Sequence, residues 1–200
     1  AKGTAGQALK MNSGATAPEW GTISSDCVKL HGSTLGSATA TIDIDSVFSS
    51  TYKVYKLFCV DVDFATDHYP RIQFLVSGTA QSAATYVVKH AELTGNDSTA
   101  NHTSGAQNNT GGFQIINTWY ATKTNDRLSN FEVTFYHPTD ASTHNIIQYN
   151  SQWTQASHFG DSKGIGFYDA NVSGITGIRI TGNGGDYEAG TSFYLYGYKV

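Results

Sequence analysis

Two hundred residues with 12 Lys and Arg against 16 Asp and Glu give a net charge of −4 and a pI near 5.9. That balance disfavours a nucleic-acid partner, whose phosphates call for a basic face. No apolar run approaches the ~20 residues that cross a bilayer as a helix, so membrane insertion is not expected. Charged residues are only 14% of the chain, beside 21 Gly, 12 Tyr and 10 Phe, which is the composition of one β-rich domain rather than a disordered chain.

Residues 1–22 hold one large aliphatic side chain (Leu9), one Met (Met11) and one aromatic (Trp20) among Gly, Ala, Ser, Thr and Asn. Such a segment buries too little apolar surface to offset its ordering entropy, so something outside it must order it. Identical copies are the simplest source. The segment is therefore expected to be a short extended anchor or trimerisation arm, with Leu9, Met11 and Trp20 making the contact. Residues 23–200 form the tip domain behind it.

Period-two alternation runs through that domain and predicts nine or ten strands. Weaker strands are expected at Cys27–His31 and Ala38–Ile44. In VYKLFCVDVDF, Val54, Phe58, Val60, Val62 and Phe64 share one face, opposite Tyr55, Leu57, Cys59, Asp61 and Asp63. Ile72, Phe74 and Val76 form the next apolar face, then Tyr86 and Val88. Residues 95–112, rich in Gly, Asn, Ser and Thr, read as a long exposed loop. Phe113–Tyr120 follows, then Phe131, Val133 and Phe135, ending before Pro138. Asn145–Trp153, Ile165–Tyr168 and the Ile178/Ile180 pair come next, with a tight GNGG turn at 182–185. The last strand carries Phe193 and Leu195 on one face and Tyr194, Tyr196 and Tyr198 on the other. That tyrosine row fits either a partly wet face of a central strand or a contact with a neighbouring subunit. Many short strands with Gly/Asn/Asp turns predict an antiparallel jelly-roll-like β-sandwich. Cys27 and Cys59 make at most one bridge, and free thiols are the expectation.

Few motifs carry chemistry. A phosphate-binding Gly-x4-Gly-Lys-Ser/Thr and a Gly-x-Ser-x-Gly elbow are both missing. Asp61 and Asp63 on one strand would stand roughly 6.5–7 Å apart, within range for an inverting glycosidase. With Asp67 they would suit Ca²⁺, although the EF-hand spacing is missing. His137 and His144 flank Asp140 without a zinc spacing. No catalytic residue, metal or cofactor is expected. Sugars are held by rings packed on their apolar faces and by polar groups that donate and accept hydrogen bonds. Trp119, Tyr120, Tyr149 and Trp153, near Asn117, Thr118, Gln148, Asn150 and Gln152, are the expected receptor-facing group, together with the 95–112 loop.

Two end motifs carry a resemblance. GTAGQALKMNSGATAPEWGT resembles the Gly-x-Ala-Gly-Gln-x-Leu…Pro-x-Trp segment that precedes a distal domain in bacteriophage fibre proteins, where it lies along a three-fold axis. GITGIRITGNGGDYEAGTSFYLYGYKV is similar to the closing strands of jelly-roll tips in tail fibres and related virion proteins. The resemblance implies a homotrimeric, non-enzymatic virion protein, assembled in the bacterial host cytoplasm. Its implied partners are adaptor, tail or capsid proteins and a host surface glycan or receptor; it brings no binding residues with it. The Ala-Lys start suits a short spike on an adaptor or a capsid fibre or decoration protein, and equally an excised tip of a longer fibre. A purely structural capsid role and a glycan depolymerase are the rival readings.

Overall fold

A computed structural model describes residues 2–22, 25–66, 68–82, 85–96, 99–109, 111–115, 129–142, 144–155, 158–170 and 174–199. In chain order the strands are β1 (Gln7–Met11), β2 (Pro18–Thr22), β3 (Cys27–Thr34), β4 (Thr41–Ile44), β5 (Val54–Val62), β6 (Pro70–Val76), β7 (Thr79–Ala80) and β8 (Thr85–Asn96). They continue as β9 (Thr99–Asn109), β10 (Phe113–Gln114), β11 (Ser129–Tyr136), β12 (Asn145–Gln155), β13 (His158–Asp169), β14 (Ile175–Gly182) and β15 (Ser192–Tyr198). β1 and β2 form a sheet of their own. A five-stranded sheet runs β10-β6-β14-β4 with β7 on β6, and an eight-stranded sheet runs β3-β15-β5-β11-β12-β13-β8-β9. From β3 onward the chain passes repeatedly between the two larger sheets, giving an all-β, antiparallel, jelly-roll-like sandwich as expected.

The core lies between those sheets. Ile42, Ile44, Ile72, Ile178 and Ile180 from one meet Leu57, Val133, Ile147 and Leu195 from the other. Phe74 is its hub, with ring centroids 5.2 Å from Tyr168, 5.7 Å from Phe113 and 6.1 Å from Phe135. Edge-to-face pairs of this kind add about 0.5–1.5 kcal/mol each beyond area burial. Two buried phenols keep their polar ends satisfied. Tyr86 Oη donates to the Gln81 carbonyl at 2.7 Å and accepts from Phe74 N–H at 3.1 Å. Tyr55 Oη does the same with Ser49 O at 2.9 Å and Ser49 N at 2.7 Å.

Glycines on β13 explain how large rings fit the β12 face. Gly160, Gly164 and Gly166 pair with Trp153, Tyr149 and Ile147. A Cβ at Gly164 would stand 2.5 Å from Tyr149 Cε1, and one at Gly160 would stand 2.7 Å from Trp153 Cζ2. The rings thus lie over bare backbone, the close approach that glycine permits in a strand.

Four expectations are corrected. In β5, Asp61 adopts φ 54, and the register with β11 shifts between Ser129 and Phe131. This bulge reverses the alternation. Tyr55, Leu57 and Cys59 point inward before it and Val62 after it, while Val60 is 38% exposed. Asp61 and Asp63 therefore do not share a regular strand face. Asp63 lies past the strand end, its Oδ1 accepting from Phe64 N–H at 2.9 Å; Asp67 lies outside the described residues.

Much of residues 95–112 is strand rather than loop. β9 pairs with β8 from Tyr86↔Asn109 to Asn96↔Thr99. It forms the edge of the eight-stranded sheet, and its residues from Ala100 to Ala106 are exposed. A polar edge strand is held by backbone hydrogen bonds, so it leaves no apolar alternation to read.

The opening segment is a hairpin rather than an extended arm. Leu9 pairs with Trp20 and Met11 with Pro18. Asn12 closes the turn, its Oδ1 accepting from Thr16 N–H at 2.9 Å. Leu9, Met11 and Trp20 stay 59%, 52% and 42% exposed, consistent with an apolar face that needs an outside partner.

Candidate functional site

β12 decides which side chains reach solvent. Tyr149 and Trp153 were expected to face a receptor, but they are buried at 3% and 2% exposure, alternating with Gln148, Asn150 and Gln152, of which Gln148 and Gln152 are exposed and Asn150 is half-buried. Strand alternation sends the rings inward over the glycine row and the amides outward. Burial, with the charge of Glu92 nearby, pushes the Tyr149 phenol up to about 12. It remains a neutral core group at any ordinary pH. Trp119 and Tyr120 lie outside the described residues.

The outer face of the eight-stranded sheet carries three adjoining depressions. One of about 470 Å³ is mostly apolar, lined by Leu93, Ala100 and Phe159 with Asn130, Gln152 and Asp161 at its rim. A second, of about 430 Å³, shares Asn130 and Gln152 with it and adds Phe58, Val60 and Asn150. A third, of about 530 Å³, shares Asn150 and Glu132 with the second and reaches Lys89, Lys163 and Ile165. Each volume is of small-ligand size. Together they form a trough across five strand spacings from β5 to β9, roughly 24 Å.

The trough combines rings with amides. Phe159 is 56% exposed and Leu93 49%. Asn150 Oδ1 lies at the junction of two depressions and has no hydrogen-bond partner among the described residues. Tyr136 Oη donates to Gln148 Oε1 at 3.2 Å. Charges are largely paired: Lys56 lies 2.9 Å from Glu132 and Lys163 lies 3.2 Å from Asp161. Planar amides that donate and accept, set between rings, suit a ligand rich in hydroxyls with apolar faces.

On the same face, β15 lies between β3 and β5 and turns Tyr194, Tyr196 and Tyr198 outward, half-buried. Lys29 Nζ sits 4.8 Å from the Tyr194 ring centroid, and Tyr196 meets Phe58 edge-on at 5.9 Å. This is the geometry of a central strand with a partly wet tyrosine face.

The remaining sequence candidates are dispersed. Asp140 Oδ1 accepts from Ser142 N–H at 2.8 Å in a local turn, and the His144 ring packs 4.5 Å from Phe167. Among the described residues no three or more His, Cys, Asp or Glu side chains gather as a metal site. Cys27 and Cys59 are both free, exposed and buried respectively. They pair with Tyr198 and Phe193 of β15, five residues apart or about 17 Å. No disulfide spans that gap.

Sequence reasoning named Gln148, Asn150 and Gln152 only as neighbours of rings. It missed Phe159, Leu93 and Asn130. The available signal was that polar residues at even positions of β12 place the odd positions inward. No family model matches the chain, and no curated protein or solved structure is significantly similar to it.

Proposed function

We propose that the chain is a homotrimeric, non-enzymatic attachment protein of a bacteriophage particle that holds a host surface glycan in the trough of its eight-stranded sheet. The observation that carries the ligand class is the strip of Asn130, Asn150 and Gln152 between exposed Phe159 and half-buried Phe58. Its phage origin and three-fold assembly rest on the two end motifs. The exposed apolar face of the hairpin supports an assembly role. Paired lysines and carboxylates leave the trough close to neutral, which favours a neutral sugar over an acidic one. Single-site affinity would be weak, and three copies would raise it by avidity.

The test is glycan-array binding by the full chain, followed by titration of the strongest neutral hit. Phe159→Ala and Gln152→Ala should each weaken binding about tenfold, the equivalent of ~1.4 kcal/mol. Both side chains face solvent, so thermal stability should hold. Unchanged affinity in both variants would remove the trough as the site. Failure to bind any glycan would favour a purely structural fibre or decoration protein.

A further inference from the structure

The backbone decides which way the Asn130 amide points. Asp61, left-handed at φ 54 where β5 bulges, donates its N–H to Asn130 Oδ1 at 3.0 Å. Asn130 stands opposite that bulge, where the β11 register with β5 shifts between Ser129 and Phe131. A backbone N–H only donates, so Oδ1 is the end it holds, and what Asn130 offers a ligand is its Nδ2, a donor. Left-handed backbone is uncommon for a residue other than glycine, and such strain gathers at binding sites.

Asn130 heads a cross-strand row. It pairs with Gln152, Gln152 with Asp161, and Asp161 with Leu93. An ionised carboxylate only accepts, and Lys163 Nζ, 3.2 Å from Asp161 Oδ2, balances its charge. The row therefore sets a donor and an acceptor two strand spacings apart, about 10 Å. The next row along the strands is Thr154, Phe159, Gly95 and Ala100. Small Gly95 and Ala100 leave an apolar hollow beside the Phe159 ring, with Leu93 as its wall; this is the depression of about 470 Å³. On the other side of the amide row, two residues back along β12, stands Asn150 in the middle of the trough.

An acyl amide matches this arrangement. In a planar trans amide the C=O and N–H point to opposite sides, and the two substituents leave at right angles to them. With a hydrogen bond at each end it spans roughly 8 Å, which fits between the Asn130 and Asp161 backbones. Its carbonyl then accepts from Asn130 Nδ2 and its N–H donates to Asp161. The acyl methyl points along the strands to Phe159, and the other substituent points toward Asn150. A single hydroxyl bridges only about 5.5 Å from donor to acceptor and puts nothing in the hollow. A methyl carried directly on a sugar ring fills the hollow but leaves donor and acceptor unserved. We infer that the trough takes an N-acylated amino sugar, its acyl group seated between Asn130, Asp161 and Phe159. The inference rests on the glycan-binding reading and names the sugar class.

The test is calorimetric titration of the full chain with methyl glycosides of glucose, galactose and mannose, each with a 2-hydroxyl or a 2-acetamido group, and with methyl fucoside. In at least one of the pairs the acetamido form should bind about tenfold tighter than its hydroxyl twin and than the fucoside. Asn130→Asp keeps an oxygen for the Asp61 N–H but sets an acceptor against the acyl carbonyl. Its thermal midpoint should hold, and the preference should fall to about one. Phe159→Ala, a solvent-facing change, should lower the preference as well. Hydroxyl and acetamido forms that bind equally, with amide shifts at Asn150 and Gln152, would overturn the inference and leave the trough in place as a glycan site. So would a tighter fucoside, or an Asn130→Asp chain that keeps the full preference. An array on which no glycan binds would overturn both.

Discussion

Trp153→Ala should be among the most destabilising single changes in this protein and should not behave as a simple loss of ligand contact. The indole is 2% exposed and lies across Gly160, with Gly160 its cross-strand partner. Truncation removes a large buried ring and leaves a cavity that backbone strands cannot collapse to fill. Changes of this kind cost about 3–5 kcal/mol. In a domain of this size each kcal/mol moves the melting temperature by ~2–4 °C, so the midpoint should fall by about 12 °C. Thermal unfolding followed by circular dichroism measures it. Phe159→Ala, six residues later and facing solvent, serves as the control and should shift the midpoint little. A Trp153→Ala protein as stable as the parent would return that ring to the surface and reverse the assignment of β12 faces.

Gly177→Ala is the second change with a large expected effect. Gly177 lies where the β14 register with β6 shifts, between Ile175 and Gly177. A Cβ there would sit 2.2 Å from the Ile44 carbonyl oxygen and 2.6 Å from Asp45 Cα. Both are backbone atoms, so no rotamer change relieves the clash. Relief requires β14 to move away from β4, whose pairing runs from Ile178↔Ile44 to Thr181↔Thr41. The neighbouring bond from Thr176 Oγ1 to Asp45 Oδ1 would be disturbed as well. Overpacking without room to yield costs roughly 1–3 kcal/mol, occasionally more, and this site stands at the upper end. Chemical denaturation should show a midpoint lowered with little change in slope. Gly36→Ala, where a Cβ would meet nothing within 4 Å, should be near neutral. Equal stability of the two variants would mean that β4 and β14 do not approach as described.

The fold was legible where burial is one-sided. Phe131, Val133 and Phe135 point inward along β11, as their alternation predicts, and Ile178 and Ile180 do the same on β14. Legibility failed where the backbone leaves its period. Nothing in VYKLFCVDVDF marks Asp61 as left-handed, yet that single φ exchanges the faces of β5. It failed again where a strand has no apolar side at all. From Ala100 to Ala106, β9 offers solvent side chains of both parities, so only its pairing with β8 identifies it. The site was half legible. Gln148, Asn150 and Gln152 were in the right neighbourhood, but the rings beside them in sequence lie on the opposite face of the sheet. The rings that flank the amides in space, Phe58 and Phe159, come from other strands, and a strand register is needed to bring them there.

Backbone amide shifts of the chain, recorded as its strongest neutral array ligand is titrated in, give the most direct check on where that ligand sits. The account predicts perturbations at Asn130, Asn150, Gln152 and Phe159, with Arg71 and Arg179 on the five-stranded sheet undisturbed. Shifts centred on those arginines, with the amide strip silent, would contradict it.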